Sequence, residues 1–290
     1  MHLPVLVSQL LEHFERREIR FFFDGTLGAG GHARAILEAH PEIDRYLGCD
    51  RDPDALDLAK KTLKEWKEKV KFFHGSYTHC REWLKKEKVG CLDGFMIDAG
   101  VSSMQLDTKE RGFSFQGSGP LDMRMDPTQT VTAEQIVNRA SEIELARILH
   151  EYGEERRSRS IAKAIVNARK KKRIRTTEDL VSVILPVAHH KKRLHPATLT
   201  FQALRIAVND ELTQLKAGIE EGIQLLCPGG RIAVISFHRL EDRIAKNSLR
   251  TAAKEELISL MTKKPLEPTR SEVRANPRCR SAKLRIGERI

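Results

Sequence analysis

The stretch that decides the fold is Arg20–His32, which reads RFFFDGTLGAGGH. Phe21–Phe23 form a short apolar run that is typical of a buried strand, and Asp24 follows it directly. Glycines then crowd the point where a helix is predicted to begin, at His32. Such a turn lets a ligand approach the backbone and offers it the free N–H groups of the helix. The segment indicates a nucleotide-binding turn, and the alternative is a tight turn without a ligand.

Strand-like and helix-like segments alternate through the first third of the chain, which predicts a parallel sheet covered by helices. The further predicted elements are strands at Arg45–Cys49, Val70–Phe73 and Asp93–Asp98 and helices at His32–Ala39 and Ala55–Lys69. Asp50 and Asp98 stand where the second and fourth strands end. Because ligands bind at the carboxyl ends of strands in open α/β sheets, both acids are candidate site residues.

The next convincing strand is Arg231–Phe237, and 132 residues separate it from Asp98. An ordinary crossover needs only about 30 residues. A periodic apolar pattern over Phe201–Leu226 predicts one long crossover helix, so the surplus is an inserted subdomain. We therefore expect a doubly wound α/β domain formed by residues 1–104 and 200–290, with a mainly helical insert at residues 105–199. Helices are predicted in the insert at Glu142–His150, Ser158–Lys172 and Thr177–Ala188.

Charge is concentrated in one part of the chain. The net charge is +11, and residues 151–200 contain 13 Lys or Arg but only 5 Asp or Glu. A surplus of this kind attracts polyanions such as nucleic acid or anionic lipid. Because the charge falls within and just after the insert, we expect the insert, and Arg169–Arg175 in particular, to bind the polyanion, and charge alone does not choose between nucleic acid and lipid. A solvated helix end is the alternative for these residues.

Composition and cysteine usage narrow the class of protein. Hydrophobic residues make up 40% and charged residues 31%, which excludes collagen-like, wholly disordered and membrane-spanning proteins. The five cysteines are odd in number, far apart and form no CxxC pair, so we expect neither a disulfide framework nor a zinc ribbon. No metal site is evident. We expect a reduced, cytoplasmic protein without a membrane partner; monomer and homodimer both remain open.

Two cofactors fit the glycine turn. Gly28-x-Gly30-x-x-Ala33 matches the dinucleotide fingerprint, and Asp50 stands where an acid would bind a ribose, as in NAD-dependent oxidoreductases. Asp24 favours S-adenosylmethionine instead, because methyltransferases place an acid before the glycines that organises the loop and reaches the methionine amine. Thr26 departs from the usual spacing, which has a glycine at that position.

A second group of candidate residues begins at the exit of the fourth strand, in Asp98–Gln105. Amino-group methyltransferases commonly place there a side-chain oxygen and a backbone carbonyl that accept hydrogen bonds from the target amine. Only the acid of that pattern, Asp98, is present here. The alternative is a carboxylate that caps the following turn.

The chain closely resembles the bacterial 16S rRNA (cytosine(1402)-N4)-methyltransferase family, which implies a Rossmann-like class I methyltransferase. The motifs that carry the resemblance are Asp98–Asp107, Glu110–Phe115, Gly119–Asp126, Tyr152–Arg156, His195–Thr198, Thr200–Ile206, Ser236–His238, Leu240–Arg243, Ala275–Arg278 and Ser281–Arg285. It implies an enzyme that uses S-adenosylmethionine to methylate the exocyclic N4 of a cytidine in the decoding region, with 16S rRNA, in the small subunit or a late precursor, as its partner.

The resemblance also implies a set of cofactor contacts. These are Gly30, Gly31, His32, Asp50, Tyr77, Asp98 and Gln105. Three positions depart from the family's usual pattern: Ala99 replaces a common Leu, Leu199 an Arg, and Arg239 a Ser. If the family's residue at position 199 contacts RNA, that contact is missing here.

The expected chemistry is positioning plus acceptance of the amine hydrogens, since the cytosine amine is a poor nucleophile. Asp98 is the candidate catalytic acceptor, with a backbone carbonyl of Ala99–Val101 or the hydroxyls of Ser102 and Ser103 as alternatives. Phe113 and Phe115 are candidates to stack on an unstacked base, or else they pack in a core. His238 is expected to be structural more often than functional. An NAD-dependent oxidoreductase and a non-catalytic rRNA-binding assembly factor are the competing functions.

Overall fold

The computed structural model describes residues 4–15, 18–188 and 195–290. The chain divides into two compact units. Residues 1–100 and 212–290 form the first, called here the sheet unit, and residues 101–211 form the second, called here the insert unit. The insert unit is continuous in sequence, and the sheet unit is built from the two segments that flank it.

A seven-stranded sheet in the order β3-β2-β1-β4-β5-β7-β6 is the frame of the sheet unit. Its strands are β1 Phe21–Asp24, β2 Arg45–Asp50, β3 Val70–His74, β4 Leu92–Asp98, β5 Leu226–Ser236, β6 Ile258–Leu260 and β7 Lys283–Arg289. The first five strands pair in parallel, whereas β7 pairs antiparallel with both β5 and β6. This topology confirms the predicted doubly wound α/β fold and adds an antiparallel edge that was not predicted.

Thirteen α-helices are assigned in the described residues. They are α1 Val7–Phe14, α2 Gly31–Ala39, α3 Pro53–Thr62, α4 Cys80–Lys86, α5 Ser103–Asp107, α6 Ala133–Arg139, α7 Glu142–Glu151, α8 Ser158–Lys171, α9 Thr177–Ile184, α10 Thr198–Asn209, α11 Glu211–Leu225, α12 Arg239–Lys254 and α13 Arg270–Ala275. None of the helices in this part of the chain is long and apolar enough to cross a membrane.

The apolar run in β1 is continuous because the strand is buried on both faces. Phe22 stacks on Tyr46 at a centroid distance of 5.2 Å, whereas its neighbour Phe23 stacks on Phe95 at 5.1 Å. Successive side chains of a strand point to opposite faces, so the two rings enter different layers of the core. A strand covered on both faces is what a parallel sheet requires.

One expectation about cysteine is wrong. Cys91 and Cys227 form a disulfide, although 136 positions separate them in sequence. Cys91 directly precedes β4, and Cys227 is the second residue of β5. Because Leu92 pairs with Leu226, the sheet register brings the two cysteines together. Separation in sequence therefore did not predict separation in the fold. The other three cysteines, Cys49, Cys80 and Cys279, are free thiols and buried.

The single crossover helix predicted over Phe201–Leu226 is also wrong in part. The chain forms α10 and α11, which are separated at Asp210, where φ is +49°. The preceding Asn209 is fully buried and its side chain accepts from the N–H of Met125 and donates to the carbonyl of Met123. These bonds hold the end of α10 in the insert unit. The unit spans residues 101–211, so it begins before the predicted limit of 105 and ends after the predicted limit of 199.

The insert unit has an apolar core of its own. Helices α6 to α10 supply most of it, and three of the periodic residues assigned from sequence to the crossover, Phe201, Leu204 and Val208, belong to it. Helices α7 and α8 match their predicted ranges within a residue, whereas α9 ends at Ile184 rather than Ala188.

The position of the disulfide predicts a measurable effect on stability. In the loop-entropy account, a cross-link that closes a loop of more than a hundred residues stabilises the folded state by up to about 5 kcal/mol. We expect a reductant to lower the Tm of the oxidised protein by several degrees and to leave the Tm of Cys91→Ser unchanged.

Thiol counting provides the control for this prediction. Alkylation of the unfolded, unreduced protein should label three of the five cysteines, and reduction should expose the other two. Labelling of all five without reductant would contradict the bond.

Candidate functional site

Three carboxylates mark the carboxyl edge of the sheet. Asp24, Asp50 and Asp98 are the last residues of β1, β2 and β4. Strand β1 pairs in parallel with both β2 and β4, so the three acids lie along one edge of adjacent strands. Sequence analysis had placed each acid at a strand end, and the register explains why they share an edge.

Asp24 organises the loop that follows β1. Its side chain is buried, and its two oxygens accept hydrogen bonds from the N–H of Thr26 and the hydroxyl of Tyr46, each at 3.0 Å. Burial raises the pKa of Asp24 to about 6. Both carboxylate oxygens are thus used by the protein, in agreement with the predicted loop-organising role.

The glycine turn owes its shape to residues without side chains. Gly28 and Gly30 have φ values of +53° and +84°, the left-handed region that favours glycine. A Cβ on Gly30 would also come within 3.2 Å of the Leu63 side chain. Helix α2 begins at Gly31, and its first helical hydrogen bond runs from the N–H of Arg34 to the Gly30 carbonyl.

The start of α2 suits an anionic ligand. The N–H groups of Gly31, His32 and Ala33 precede the first bond of the helical ladder, which is the general condition for anion binding at a helix N-terminus. A Cβ on Gly31 would lie 3.3 Å from Pro4, so the absence of a side chain is what admits the N-terminal segment there.

Asp50 connects the second strand to the glycine turn. One of its oxygens accepts from the N–H of Gly28 at 2.8 Å, and the other accepts from the N–H of Asp52 at 2.9 Å. Burial raises its pKa to about 6. A carboxylate has about four lone-pair sites, so two such bonds leave capacity for ligand hydroxyls.

Thr26 stands where the usual methyltransferase pattern has a glycine, and its side chain has a structural role. Its hydroxyl accepts a hydrogen bond from the N–H of Asp98 at 2.6 Å. A glycine could not make this contact, which connects the loop after β1 to the end of β4. The side chain of Thr26 therefore orients the backbone of the site residue Asp98.

Asp98 differs from the other two acids at this edge, because one of its buried oxygens has no hydrogen-bond donor among the described residues. Its Oδ1 is buried and accepts no hydrogen bond from the described part of the chain. Its Oδ2 lies 3.7 Å from Nδ1 of His32. Burial, and then the nearby charge of Glu241, raise the pKa of Asp98 to about 7. A buried carboxylate oxygen without a donor is the kind of group that a ligand amine or hydroxyl satisfies.

His32 does not supply that donor. Its Nε2 lies 2.8 Å from the carbonyl oxygen of Val5, so Nε2 carries the proton and Nδ1, which faces Asp98, is the unprotonated nitrogen. Burial lowers the pKa of His32, which keeps the ring neutral. Its role here is to link the N-terminal segment to the start of α2.

Glu241 is a member of the site that sequence analysis missed. It lies in the first turn of α12 and is almost fully buried. Its Oε2 accepts from the N–H of Phe237 and of His238, and a Cβ on Gly100 would lie 3.6 Å from its Oε1. The sequence signal for this residue is a His-x-x-Glu capping pattern directly after β5.

His238 is structural, as expected. Its ring caps α12 by accepting from the N–H of Glu241, and its Nε2 lies 3.0 Å from Oε1 of the same residue. It therefore holds the buried carboxylate of Glu241 in place.

The two remaining predicted contacts lie in different surroundings. Tyr77 is 9% exposed and begins the turn after β3, where a Cβ on Gly218 would come within 2.4 Å of its ring. Gln105 lies in the insert unit, is buried and forms a reciprocal capping box with Ser102. The sheet unit contains the other six predicted residues, and Gln105 remains a separate prediction.

Phe113 and Phe115 were candidates either to stack on an RNA base or to pack in a core. Phe113 is buried in the insert core, as are Met123 and Met125. Phe115 is only partly buried and stacks on His195 at a centroid distance of 4.5 Å. Phe115 also packs against this core and meets the ring of Phe201 edge-on at 5.4 Å, so both aromatic side chains contribute to packing in the insert unit. Within the described ranges no cluster of three or more potential metal ligands occurs.

The match to the MraW methylase family model extends over residues 1–290. The chain belongs to the MraW methylase family. Two curated relatives are both named ribosomal RNA small subunit methyltransferase H. The protein from Protochlamydia amoebophila is 48% identical, covering 100% of this chain and 97% of its own. The protein from Persephonella marina is 47% identical, covering 100% and 99%.

Among solved structures, an rRNA methylase from Streptococcus thermophilus matches with a TM-score of 0.48 and 8% identity, covering 100% of this chain and 99% of its own. The family resemblance proposed from the motifs is confirmed by the family match. The cofactor is S-adenosylmethionine, the methyl donor expected from Asp24 and the glycine turn, and the NAD-dependent alternative is not supported.

The raised pKa of Asp98 predicts a pH-dependent stability cost. The folded protein binds this proton more tightly than the unfolded chain does, so the stabilising effect of the protonated form is lost as the pH rises through about 7. The substitution Asp98→Asn changes the free energy of unfolding by a certain amount at each pH. We expect this change to be more favourable to the folded state at pH 8 than at pH 4, by ~2 kcal/mol.

Asp57→Asn is the matched control, because Lys60 lowers the pKa of this exposed acid and the variant should gain nothing at pH 8. Thermal unfolding at both pH values measures the difference. An Asp98→Asn effect that is the same at pH 4 and pH 8 would contradict the assignment.

Proposed function

We propose that this protein methylates the exocyclic N4 of a cytidine in the decoding region of 16S rRNA. Relatives at 47–48% identity over the whole chain, named as small-subunit rRNA methyltransferases, support the choice of substrate. The observation that carries the proposed chemistry is the buried Oδ1 of Asp98, which has no donor among the described residues. It suits the hydrogens of an exocyclic amine.

The proposed cofactor contacts follow from the same edge. The N–H groups at the start of α2, at Gly31 and His32, suit the carboxylate of S-adenosylmethionine, and the glycine at position 30 allows its approach. The remaining lone pairs of Asp50 suit ribose hydroxyls. We propose Tyr77 and Gln105 as further contacts on the family resemblance alone.

The proposed mechanism assigns one task to Asp98. When bound, S-adenosylmethionine supplies an electrophilic methyl group. Accepting a hydrogen bond from the cytosine amine returns lone-pair density to its nitrogen, and the same carboxylate then takes the proton that the methylated amine releases. Thr26 positions the backbone of Asp98, and Glu241 contributes to a pKa near neutrality, which matches a base to the working pH.

Methyl transfer to immature small subunits tests the proposal. The protein is incubated with S-adenosylmethionine labelled in its methyl group, and the rRNA is digested to nucleosides. We expect label in N4-methylated cytidine. Label at another atom would overturn the N4 assignment. Binding of subunits without transfer would support the non-catalytic assembly factor instead.

The role of Asp98 is separable from cofactor binding. We expect Asp98→Asn to lower kcat at least about 100-fold while its affinity for S-adenosylhomocysteine, measured by calorimetry, changes little. In the wild type, kcat should rise with pH through about 7 because the carboxylate form is the acceptor. Loss of cofactor affinity with normal turnover would assign Asp98 to cofactor binding.

The basic part of the insert is proposed to hold the RNA backbone. Helix α8 ends in Arg169, Lys170 and Lys171, and the side chain of Lys172 is 80% exposed. Arg173 and Lys172 already form ion pairs with Glu134 and Asp179, so Lys170 and Lys171 are the better RNA contacts.

We expect Lys170→Gln with Lys171→Gln to reduce the slope of log K against log salt for RNA binding by about 1–2, without changing cofactor affinity. Fluorescence anisotropy over a salt series measures the slope. An unchanged slope would assign this helix end to solvent.

A further inference from the structure

The segment that precedes α1 lies against the start of α2, which is the proposed site of the cofactor carboxylate. Pro4, Val5 and Leu6 form this segment, and the last two are buried in the same core as Ile36 of α2. We call residues 4–6 the N-terminal strap.

The strap contacts two residues of the glycine turn. A Cβ on Gly31 would lie 3.3 Å from the ring of Pro4, so Pro4 covers Gly31 on one side. The carbonyl of Val5 accepts a hydrogen bond from Nε2 of His32 at 2.8 Å. No helical bond uses the N–H groups of Gly31 and His32, because the ladder of α2 starts at the N–H of Arg34. The strap therefore lies beside the N–H groups that suit an anion.

The bond to Val5 also decides which nitrogen of His32 carries the proton. Burial lowers the pKa of His32, which keeps the ring neutral, and a neutral imidazole has one protonated nitrogen. Because Nε2 donates to the Val5 carbonyl, Nδ1 is the unprotonated nitrogen, and it lies 3.7 Å from Oδ2 of Asp98. The strap thus sets the face that His32 presents to the candidate acid.

A carboxylate from a distant part of the sequence holds the strap. Leu6 has a φ of +57° and a ψ of +28°, a left-handed conformation that a leucine adopts only where its surroundings hold it. Its N–H donates to Oε1 of Glu272 at 2.6 Å, which is a charge-assisted hydrogen bond. Glu272 lies in α13, 266 positions further along the chain.

The helices on either side of this bond have other supports. Helix α1 buries Leu10 and Phe14 in the core of the sheet unit. Helix α13 is capped by the hydroxyl of Thr269, which accepts from the N–H of Glu272 and makes no use of its side chain. Loss of the Glu272 carboxylate should therefore release residues 4–6 and leave both helices in place.

We propose that Glu272 is a positioning residue for the cofactor site and acts through the N-terminal strap. By fixing the strap, it keeps water from one side of Gly31 and holds the ring of His32 in one tautomer. Exclusion of water strengthens hydrogen bonds from N–H groups to an anion, because the local dielectric constant falls. This inference rests on the proposed cofactor contacts at the start of α2, and it extends them to a residue outside the motifs that carry the family resemblance.

Three variants of the full-length protein test the role of Glu272. Glu272→Ala removes the acceptor of the Leu6 N–H. Glu272→Gln also removes the charge but keeps a side-chain oxygen that can accept the same bond. Val273→Ala is the matched control, because it reduces the packing of α13 against the core and leaves Glu272 in place.

Hydrogen exchange of the cofactor-free protein reports on the strap directly. In Glu272→Ala we expect the amide of Leu6 to exchange at least about 10-fold faster, since a lost hydrogen bond to a charged group is worth at least this factor. Glu272→Gln and Val273→Ala should stay within about 3-fold of the wild type, because both keep an acceptor for this N–H.

Nitrogen-15 NMR of the imidazole rings reports on the tautomer of His32, and His32→Gln assigns its signals. The wild type should show a protonated Nε2 and an unprotonated Nδ1. Glu272→Ala should show a mixture of both tautomers, whereas Glu272→Gln should restore the wild-type signals. A purely structural role of Glu272 would leave these signals unchanged.

Calorimetry with S-adenosylhomocysteine measures the consequence for the cofactor site. We expect Glu272→Ala to raise the Kd about 10-fold and the other two variants to raise it less than about 3-fold. In methyl transfer, Glu272→Ala should raise the KM for S-adenosylmethionine more than it lowers kcat, because the strap acts on binding.

Asp50→Asn serves as the reference for the cofactor site itself. If Asp50→Asn binds S-adenosylhomocysteine as the wild type does, the proposed cofactor contacts are wrong, and this inference fails with them. If Asp50→Asn loses affinity while Glu272→Ala keeps both its affinity and a single His32 tautomer, only the role of Glu272 is overturned. Equal losses of affinity in Val273→Ala and Glu272→Ala would assign Glu272 to the stability of α13 and would likewise overturn the proposal.

Discussion

The hydrogen bond from the N–H of Asp98 to the hydroxyl of Thr26 joins two strand ends on which the candidate site depends. It connects the glycine loop after β1 to the exit of β4 and holds the backbone of the acid that we propose as the amine acceptor. Asp24 and Asp50 shape the same loop from within through bonds to backbone N–H groups. The site is thus a set of buried carboxylates held in place by loop backbone N–H groups and by the hydroxyls of Thr26 and Tyr46.

Burial of these carboxylates is unfavourable for the fold and useful for chemistry. Desolvation raises the pKa values of Asp24 and Asp50 to about 6 and that of Asp98 to about 7. The first two acids are compensated by hydrogen bonds, whereas Oδ1 of Asp98 is not compensated by any described residue. The charged carboxylate of Asp98 destabilises the fold at neutral pH, where the proposed reaction needs it as a hydrogen-bond acceptor. Such a trade-off between stability and activity is common at active sites.

Positive charge is distributed over both units of the protein. The insert unit carries the basic end of α8, and helix α12 of the sheet unit carries five Lys or Arg. Phosphate contacts position a nucleic acid without reading its sequence.

Local sequence determined the elements whose pattern is local. The buried strand Phe21–Asp24, the glycine turn and the acids at strand ends were all readable, because a strand covered on both faces needs a continuous apolar run and a left-handed turn needs glycine. Tertiary structure decided what depends on sheet register and packing. It brought Cys91 to Cys227, ended α10 through the buried Asn209, and placed Glu241 near Asp98. These relations join residues far apart in sequence, and no local periodicity records which strand ends become neighbours.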